Sequence, residues 1–329
     1  MATKDLLIRD SRYDNGSIPS GTSYCSSPDL IIHEQVADPQ TFFKNNYNDD
    51  VNQSINKGAA HNFIYTRCKN LSDKNVKACI RMYASTSSLF MQPSLWRQNI
   101  LKDMNEVPYV ETNIIGKNDI GVGLKPFIFD AKGKNTFCHV GYVTESREIQ
   151  PDFPASDFRT YSEFTSWITN NPHICLRNFS VITGKPSYSE YPCFMSNPND
   201  YACPYSLQVT LRHGYPKGTV IEFKNTPAHM DVSYTVQEVK DKIVFQIAGT
   251  ELLEPHFEGY LIASVFLPSG TTFKGGDVNI EFFPGERFTQ KFLAATVRHL
   301  DLGQPINRSA RLEEGTRLIK AGECSVRFT

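Results

Sequence analysis

Between residues 61 and 85 the chain alternates apolar and polar positions in two runs that a short polar break separates. In the second run the polar or bulky residues Lys77, Cys79, Arg81 and Tyr83 alternate with Val76, Ala78, Ile80 and Met82. Successive side chains of a strand point to opposite faces, so this pattern places the apolar set on one face. The stretch predicts a β-hairpin in a half-buried sheet.

Short apolar runs separated by turn residues continue along the rest of the chain. A first group covers residues 30–33, 109–115, 124–129, 137–144 and 174–183. A second group covers residues 205–211, 219–224, 232–239, 242–247, 259–267, 278–283, 292–300 and 324–328. Strands at this spacing are typical of antiparallel sandwiches, whereas the polar segments 11–28 and 37–60 predict loops.

One helix interrupts the first group of strands. Either Ser156 or Asp157 can cap its start, and apolar residues then recur at helical spacing up to Ile168. The Asn-Asn-Pro sequence at 170–172 ends the run. We expect this helix to pack over one end of a sandwich.

The length of 329 residues is sufficient for two domains. The predicted fold class is mostly β, with two antiparallel β-sandwich, immunoglobulin-like domains and one short helix in the first. The predicted domains are residues 1–190, with a leading loop, and residues 191–329. Between them, residues 184–204 contain four prolines, which exclude a central strand or a helix from this junction.

The junction also carries the candidate binding residues. Stiff backbone and aromatic side chains favour a contact surface, formed by Tyr188, Tyr191, Phe194, Met195 and Tyr201. The alternative is that these side chains pack the two domains together. Cys193 and Cys203 bracket a loop whose disulfide would stabilise by roughly 2–3 kcal/mol. In a cytosolic protein, however, most of the eight cysteines are expected to be buried thiols.

Charge is balanced along the chain. The 34 basic and 35 acidic residues are spread throughout, which argues against a nucleic-acid surface or a polybasic membrane patch. Charges at Asp5, Arg9 and Asp10 fall where a secretory signal needs an apolar core, and no apolar window is long enough for a transmembrane helix. We expect a protein made in the cytoplasm, with any export following a non-classical route.

Motifs for catalysis and metal binding do not occur. The eight histidines lack the spacing by which one element presents two ligands, and neither a nucleophile elbow nor a phosphate loop is found. Asp10, Asp14, Asn15 and Gly16 share residue types with a calcium loop but lack its spacing and its final Glu, so they predict a solvated turn. The sequence predicts no catalytic residue, no metal site and no cofactor.

A resemblance is carried by Asp-Leu-Leu-Ile-Arg-Asp-Ser at 5–11, Ser-Pro-Asp-Leu-Ile at 27–31 and Asn-Phe-Ile-Tyr-Thr-Arg at 62–67, together with Asp14, Gly16, Pro19, Asn70, Val76, Tyr83, Ala84, Pro93 and Trp96. This first part resembles immunoglobulin-like modules of uncharacterised bacterial proteins, some of them attached to secreted enzymes. It is also similar to MakC-type accessory proteins, which are encoded beside α-helical pore-forming cytotoxins in the motility-associated killing factor cluster. The resemblance implies structural motifs, transfers no catalytic residue and does not cover the second domain.

We therefore predict a non-catalytic binding or accessory protein that acts through protein–protein contacts, in a bacterial toxin or secretion system. One alternative is a hydrolase or carbohydrate-active protein with a site between the domains, since paired carboxylates can come from distant strands. Another is a structural subunit of a larger assembly. Gene neighbourhood distinguishes the three.

Overall fold

A computed structural model describes residues 3–21, 24–53, 61–86, 91–130, 136–180, 183–185, 188–225, 228, 230–248, 252–271, 276–287, 316–318 and 322–327. The chain divides into two compact units, Met1–Phe158 with Glu163–Phe179, and Arg159–Ser162 with Ser180–Thr329. The limits predicted for the two domains, 1–190 and 191–329, stay a prediction.

The first group of elements is mostly β. Its strands are β1 (Leu6–Leu7), β2 (Leu30–His33), β3 (Asn62–Asn70), β4 (Val76–Thr86), β5 (Val110–Ile115), β6 (Ile120–Val122), β7 (Phe127–Phe129), β8 (Thr136–Thr144) and β9 (Ile174–Ser180). The helices in the described part of the chain are α1 (Pro39–Asn45), α2 (Pro93–Trp96) and α3 (Tyr161–Thr169).

Two antiparallel sheets form the first unit. In one sheet β3 is central, and β1, β2, β6 and β7 all pair with it. In the other, the order is β9-β8-β4-β5. The sheets pack closely where β8 crosses β2, because a Cβ added at Gly141 would lie 2.7 Å from Leu30 Cδ2. The first unit is therefore an antiparallel β-sandwich, as predicted.

The predicted hairpin at residues 61–85 is wrong. Both strands exist, but β3 belongs to one sheet, whereas β4 pairs with β5 and β8 in the other. The buried amide of Asn70 holds the crossing, since its Nδ2 donates to the carbonyls of Lys74, Ile115 and Gly116 at 2.7, 3.0 and 3.2 Å. The chain thus turns from one layer of the sandwich to the other instead of folding back within one sheet.

β4 is also buried on both faces, although its pattern predicts a half-buried strand. Ala78, Ile80 and Met82 are fully buried, and Cys79, Arg81 and Tyr83 on the other face are at most 5% exposed. Segment 145–153 covers that second face: Arg81 donates to the carbonyls of Arg147 and Ile149, and Tyr83 packs edge-on against Phe153.

The helices differ from the prediction at two places. Residues 37–60 were expected to form a loop but contain α1, where Asp38 caps the start by accepting from the N–H of Thr41 at 3.1 Å. The helix expected after Ser156 or Asp157 begins only at Tyr161. The Asp157 carboxylate instead accepts from the N–H and hydroxyl of Ser94 at 3.2 and 3.1 Å, so it holds α2.

The second unit contains the strands β10 (Thr183–Lys185), β11 (Tyr188–Ser196), β12 (Tyr205–Arg212), β13 (Val220–Asn225), β14 (Met230–Thr235), β15 (Lys242–Ala248), β16 (Glu258–Phe266), β17 (Asp277–Arg287), β18 (Thr316–Leu318) and β19 (Gly322–Arg327). One sheet has the order β10-β11-β16-β13-β14, and the other contains β15-β12-β17-β19. Phe223 of β13 meets Phe245 of β15 with ring centroids 5.9 Å apart, which joins the two sheets in a second antiparallel sandwich. The predicted strand at 292–300 lies outside the described residues.

The prolines of the junction do not exclude a central strand, contrary to the prediction. β11 lies between β10 and β16. β10, however, pairs only with the start of β11, up to Glu190, whereas Pro192 pairs with Ile262 of β16. Among the described strands, Pro192 therefore has a partner strand, β16, on one side only. A proline is tolerated in such an edge position, because an N–H on the open side would make no ladder hydrogen bond.

Candidate functional site

Ionic groups of the first unit converge on Asp29, directly before β2. Its Oδ2 accepts from the backbone N and the Nε of Arg9 at 2.9 and 3.0 Å, and its Oδ1 accepts from Arg9 Nη2 at 2.6 Å. Arg67 of β3 adds a bond from Nε to Oδ1 at 3.2 Å. These side chains are at most 4% exposed, so a ligand has no access to their charges. The cluster holds the fold together.

Arg67 also fixes the segment that follows α1. Its Nη1 donates to the carbonyls of Phe43 and Asn46 at 3.2 and 2.7 Å, and its Nη2 to that of Pro28 at 2.5 Å. A buried cation needs such a complete set of acceptors, because an uncompensated charge in the interior is strongly destabilising. Segments 27–31 and 62–67, which carry the resemblance, are thus in contact through Arg67, and this contact stabilises the fold.

The loop at 10–16, predicted to be a solvated turn, is solvated only in part: Arg12, Tyr13 and Asn15 are exposed, but both carboxyl groups are buried. Asp10 is 2% and Asp14 7% exposed. Asp14 accepts from the N–H groups of Asp10 and Gly16 at 3.1 and 2.9 Å, while Ser20 Oγ donates to Asp10 Oδ2 at 2.5 Å. Burial, and then the charge of Asp14, raises the pKa of Asp10, whose Oδ1 has no hydrogen-bond partner in the described part of the chain. The buried carboxyl groups of Asp10 and Asp14 thus hold the loop in place through hydrogen bonds.

Other titratable side chains of the first unit also serve packing. His139 is fully buried, and desolvation lowers its pKa to about 3, so the ring is neutral at ordinary pH. It packs edge-on against Phe129 with centroids 4.7 Å apart. Within the described ranges, no three His, Cys, Asp or Glu side chains are grouped closely enough to hold a metal ion.

The second unit has a different kind of feature: two sheet edges that face one groove. Among the strands that the structure describes, β14 ends one sheet and β15 ends the other. Tyr234 of β14 stacks on Phe245 of β15, with centroids 4.3 Å apart and planes at 14°. Because Phe245 also contacts the buried Phe223, the aromatic floor between the two edges is anchored in the core.

The groove between β14 and β15 has a volume of about 450 Å³ and is lined by Tyr234, Gln237, Glu238, Lys240, Lys242, Ile243 and Val244. Of the lining residues Val244 is 49% exposed, and Val239, between the lining residues Glu238 and Lys240 in the chain, is 62% exposed. Lys240 is paired with Glu238 at 3.1 Å. Lys242, at the start of β15, has no ion pair with any described residue. The groove therefore combines open main chain, apolar surface and one uncompensated positive charge.

Of the residues predicted to bind a partner, Met195 and Tyr201, whose side chains the structure describes, do not line this groove. Met195 is 1% exposed and lies with its Sδ 4.0 Å from Asn225 Nδ2, which places it in the interior. Tyr201 is half-buried, and its carbonyl accepts from Asn197 Nδ2 at 2.8 Å. Tyr188, Tyr191 and Phe194 have their backbone in β11, but their side chains lie outside what the structure describes. The binding role of the five stays a prediction.

Cys193 and Cys203 are both buried, at 5% and 0% exposure. Cys203 exchanges backbone hydrogen bonds with Leu253 at 3.0 and 2.8 Å, which fixes its place in the second unit. The disulfide between Cys193 and Cys203 stays a prediction. Elsewhere, burial raises the pKa of Cys68 and Cys138, so these thiols are poor nucleophiles.

The sequence did not single out the residues of the groove. β15, Lys-Ile-Val-Phe-Gln-Ile-Ala, is recognisable as a strand from its alternation. A period of two separates its two faces but carries no information on whether another strand lies beside it. Stacking of Tyr234 on Phe245 joins strands of different sheets, and no local pattern reports that.

No protein-family model matches the chain, and no curated protein matches its sequence. Its similarity to solved structures is slight. Red sea bream transglutaminase has 8% identity and a TM-score of 0.17, with 91% of this chain and 31% of that chain covered, so the chain spans about a third of the transglutaminase. The calcium-binding domain CBD12 of CALX1.1 has 10% identity, coverages of 84% and 96%, and a TM-score of 0.21.

Collagen adhesin CNA from S. aureus has 9% identity and a TM-score of 0.21, with 84% of this chain and 90% of that chain covered. Such scores carry no argument about function. Of the helices that the structure describes, none is long and apolar enough to cross a membrane.

Proposed function

We propose that this protein is a non-catalytic binding protein that acts through protein–protein contacts, and that the groove between β14 and β15 is its contact surface. The observation that supports this is the pair of open edge strands on either side of the Tyr234–Phe245 stack. Edge strands present unpaired N–H and C=O groups, which another chain can satisfy. Addition of a strand to such an edge is a recurring mode of protein recognition.

The exposed apolar side chains at the groove support the same function. Monomers usually protect an edge strand with charges, prolines or bulges. β15 has a single charge, at Lys242, and no proline, and its register with β12 runs without interruption from Ser206–Ala248 to Arg212–Lys242. An unprotected edge of this kind is suited to a partner.

We further propose that the partner belongs to a bacterial toxin or secretion system, with this chain as an accessory protein. The resemblance in residues 5–96 to MakC-type accessory proteins supports this setting. Gene neighbourhood tests it directly: genes for a pore-forming toxin beside this one are expected, and a polysaccharide-degradation locus would favour the carbohydrate-active alternative.

Site-specific photo-cross-linking tests the contact surface. A photoreactive residue replaces Val239 or Val244 in the full-length protein, in cells that produce it. Ile149 of the first unit, 50% exposed, serves as the matched control position. We expect a discrete protein adduct from positions 239 and 244 that is missing at 149. No adduct at either groove position, or the same adducts from all three, would contradict the proposal.

A further inference from the structure

The open edge of β15 presents a regular row of side chains. Lys242, Val244 and Gln246 are exposed on the outer face, whereas Ile243 and Phe245 are half-buried on the inner face. In an antiparallel ladder the direction of the N–H and C=O groups alternates along a strand. Every second residue of β15 therefore directs both groups away from β12, its neighbour among the described strands.

The carboxylates of Glu238 and Asp277 are engaged by cations other than Lys242. Glu238 is engaged by Lys240 at 3.1 Å, and Asp277 lies 3.8 Å from Arg212 and 3.6 Å from His213. Lys242 itself has no carboxylate partner in the described part of the chain. Val244 lies two residues further along the same face of β15, and about half of its surface is exposed.

These features define the strand that would fit. We infer that an extended segment of a partner protein pairs antiparallel with β15, with a carboxylate opposite Lys242 and a β-branched or aromatic residue opposite Val244. This rests on the proposed function, because it names the partner of the same groove. Residues directly opposite in a ladder have Cβ atoms about 4.5–5.5 Å apart, close enough for the two side chains to interact.

The orientation follows from the sheet itself. β15, β12, β17 and β19 pair antiparallel throughout, and an added antiparallel strand continues the same ladder. Antiparallel pairing reverses the order of residues, so the segment presents apolar, any residue, then Asp or Glu from its N- to its C-terminus. The middle residue faces the inner side, beside Ile243 and the Tyr234–Phe245 stack.

A second copy of this chain does not supply that segment from its own β14 or β15. β15 contains no Asp or Glu at all. In β14 the acidic residue is Asp231, but the residue two positions before it is His229, so the apolar position is missing. Neither strand that borders the groove can therefore supply the segment from a second copy, and a segment from elsewhere in a second copy is an outcome that the test distinguishes.

Selection from a phage-displayed library of random twelve-residue peptides on the immobilised full chain tests the inference. We expect enrichment of the apolar-x-acidic pattern on the wild-type protein. On Lys242→Glu the acidic position should change to Lys or Arg, and a peptide selected on the wild type should bind about fivefold more weakly. Lys217→Glu, an exposed lysine of the same unit, is the matched control and should leave the selected pattern unchanged.

Several outcomes overturn the inference. They are the absence of any enriched peptide, the same peptides from wild type and Lys242→Glu, or a dimer that dissociates on Val244→Asp, which would make a second copy the occupant. Melting temperatures equal to that of the wild type confirm that the variants are folded. Cross-linking from position 244 does not depend on the sequence of the added strand, so the proposed function can stand when this inference fails.

Discussion

Arg67 is bonded to Asp29 twice, through its side chain at 3.2 Å and through its backbone N–H, which donates to the Asp29 carbonyl at 3.0 Å. The backbone bond joins β3 to the residue directly before β2, and the side-chain bond between the same two residues is buried. Since Arg67 also reaches the carbonyls of Phe43 and Asn46, one side chain joins three separate segments of the first unit.

Replacing Arg67 by Met should therefore destabilise the protein severely. Among the described residues, the substitution leaves Arg9 as the cation paired with the Asp29 carboxylate, and it removes the donors to the carbonyls of Pro28, Phe43, Asn46 and Asp49. Removal of one partner from a buried ionic cluster costs roughly 3–5 kcal/mol. Chemical denaturation measures the loss, with Lys44→Met as control. Lys44 pairs with Asp119 on the surface, so its replacement should cost at most about 1 kcal/mol. A loss this small for Arg67→Met would show that the cluster is not important for stability.

Asp10 should make the protein less stable as the pH rises. Burial, and then Asp14, raises the pKa of Asp10 above its value in the unfolded chain, so folding favours the protonated form. The stabilising contribution is complete below about pH 4, the unfolded value, and is lost as the pH rises through the folded pKa. Asp10→Asn should raise the melting temperature at pH 7–8 and flatten its dependence on pH.

The exposed Asp49 provides the control for this pH effect. Asp49→Asn should keep the wild-type slope of melting temperature against pH between about 4 and 8, because its carboxylate stays in solvent. Equal slopes for wild type and Asp10→Asn would mean that the Asp10 carboxyl ionises as freely in the folded protein as in the unfolded chain.

Gly141→Ala should destabilise the first sandwich. The new Cβ would lie 2.7 Å from Leu30 Cδ2 of the facing sheet and 3.1 Å from Cys175 Sγ of the neighbouring strand β9, so these side chains must move. Overpacking of this kind costs roughly 1–3 kcal/mol. At Gly116 an added Cβ meets only Asn75 Oδ1, at 3.8 Å, and Gly116→Ala should cause no loss. Thermal or urea unfolding of the two variants compares them, and equal stability would argue against close packing at Gly141.

Much of the fold follows from local pattern. Alternation placed β2, β5, β8, β12, β13, β15 and β16 close to their observed positions, because a strand buried on one face repeats every two residues. The pattern failed at β4, whose second face carries Cys79, Arg81 and Tyr83. Arg81 is a polar residue by type, yet distant carbonyls at 147 and 149 satisfy it in the interior.

The candidate site was harder to predict for a related reason. The four prolines of the junction, Pro192 among them, were taken to exclude a central strand or a helix, but whether a missing N–H matters depends on which side of the strand has a neighbour. Lys242 and Val244 were assigned correctly to a strand, and only the sheet order shows that they lie at an edge. Both properties come from pairing between distant segments, on which a single sequence carries no direct information.

The crossing at Asn70 has a consequence for how this protein folds. Had β3 and β4 formed a hairpin, neighbouring residues would have paired within microseconds and offered a local nucleus. Instead β4 pairs with β5 and β8, which end at residue 144, and β3 pairs with β2, β6 and β7, so each strand acquires its partners by closing a longer loop. Loop closure must precede these contacts, which slows topologies of this kind. A peptide comprising residues 61–86 alone should remain unfolded, and during synthesis β4 lacks its partner β8 until the ribosome has reached residue 144.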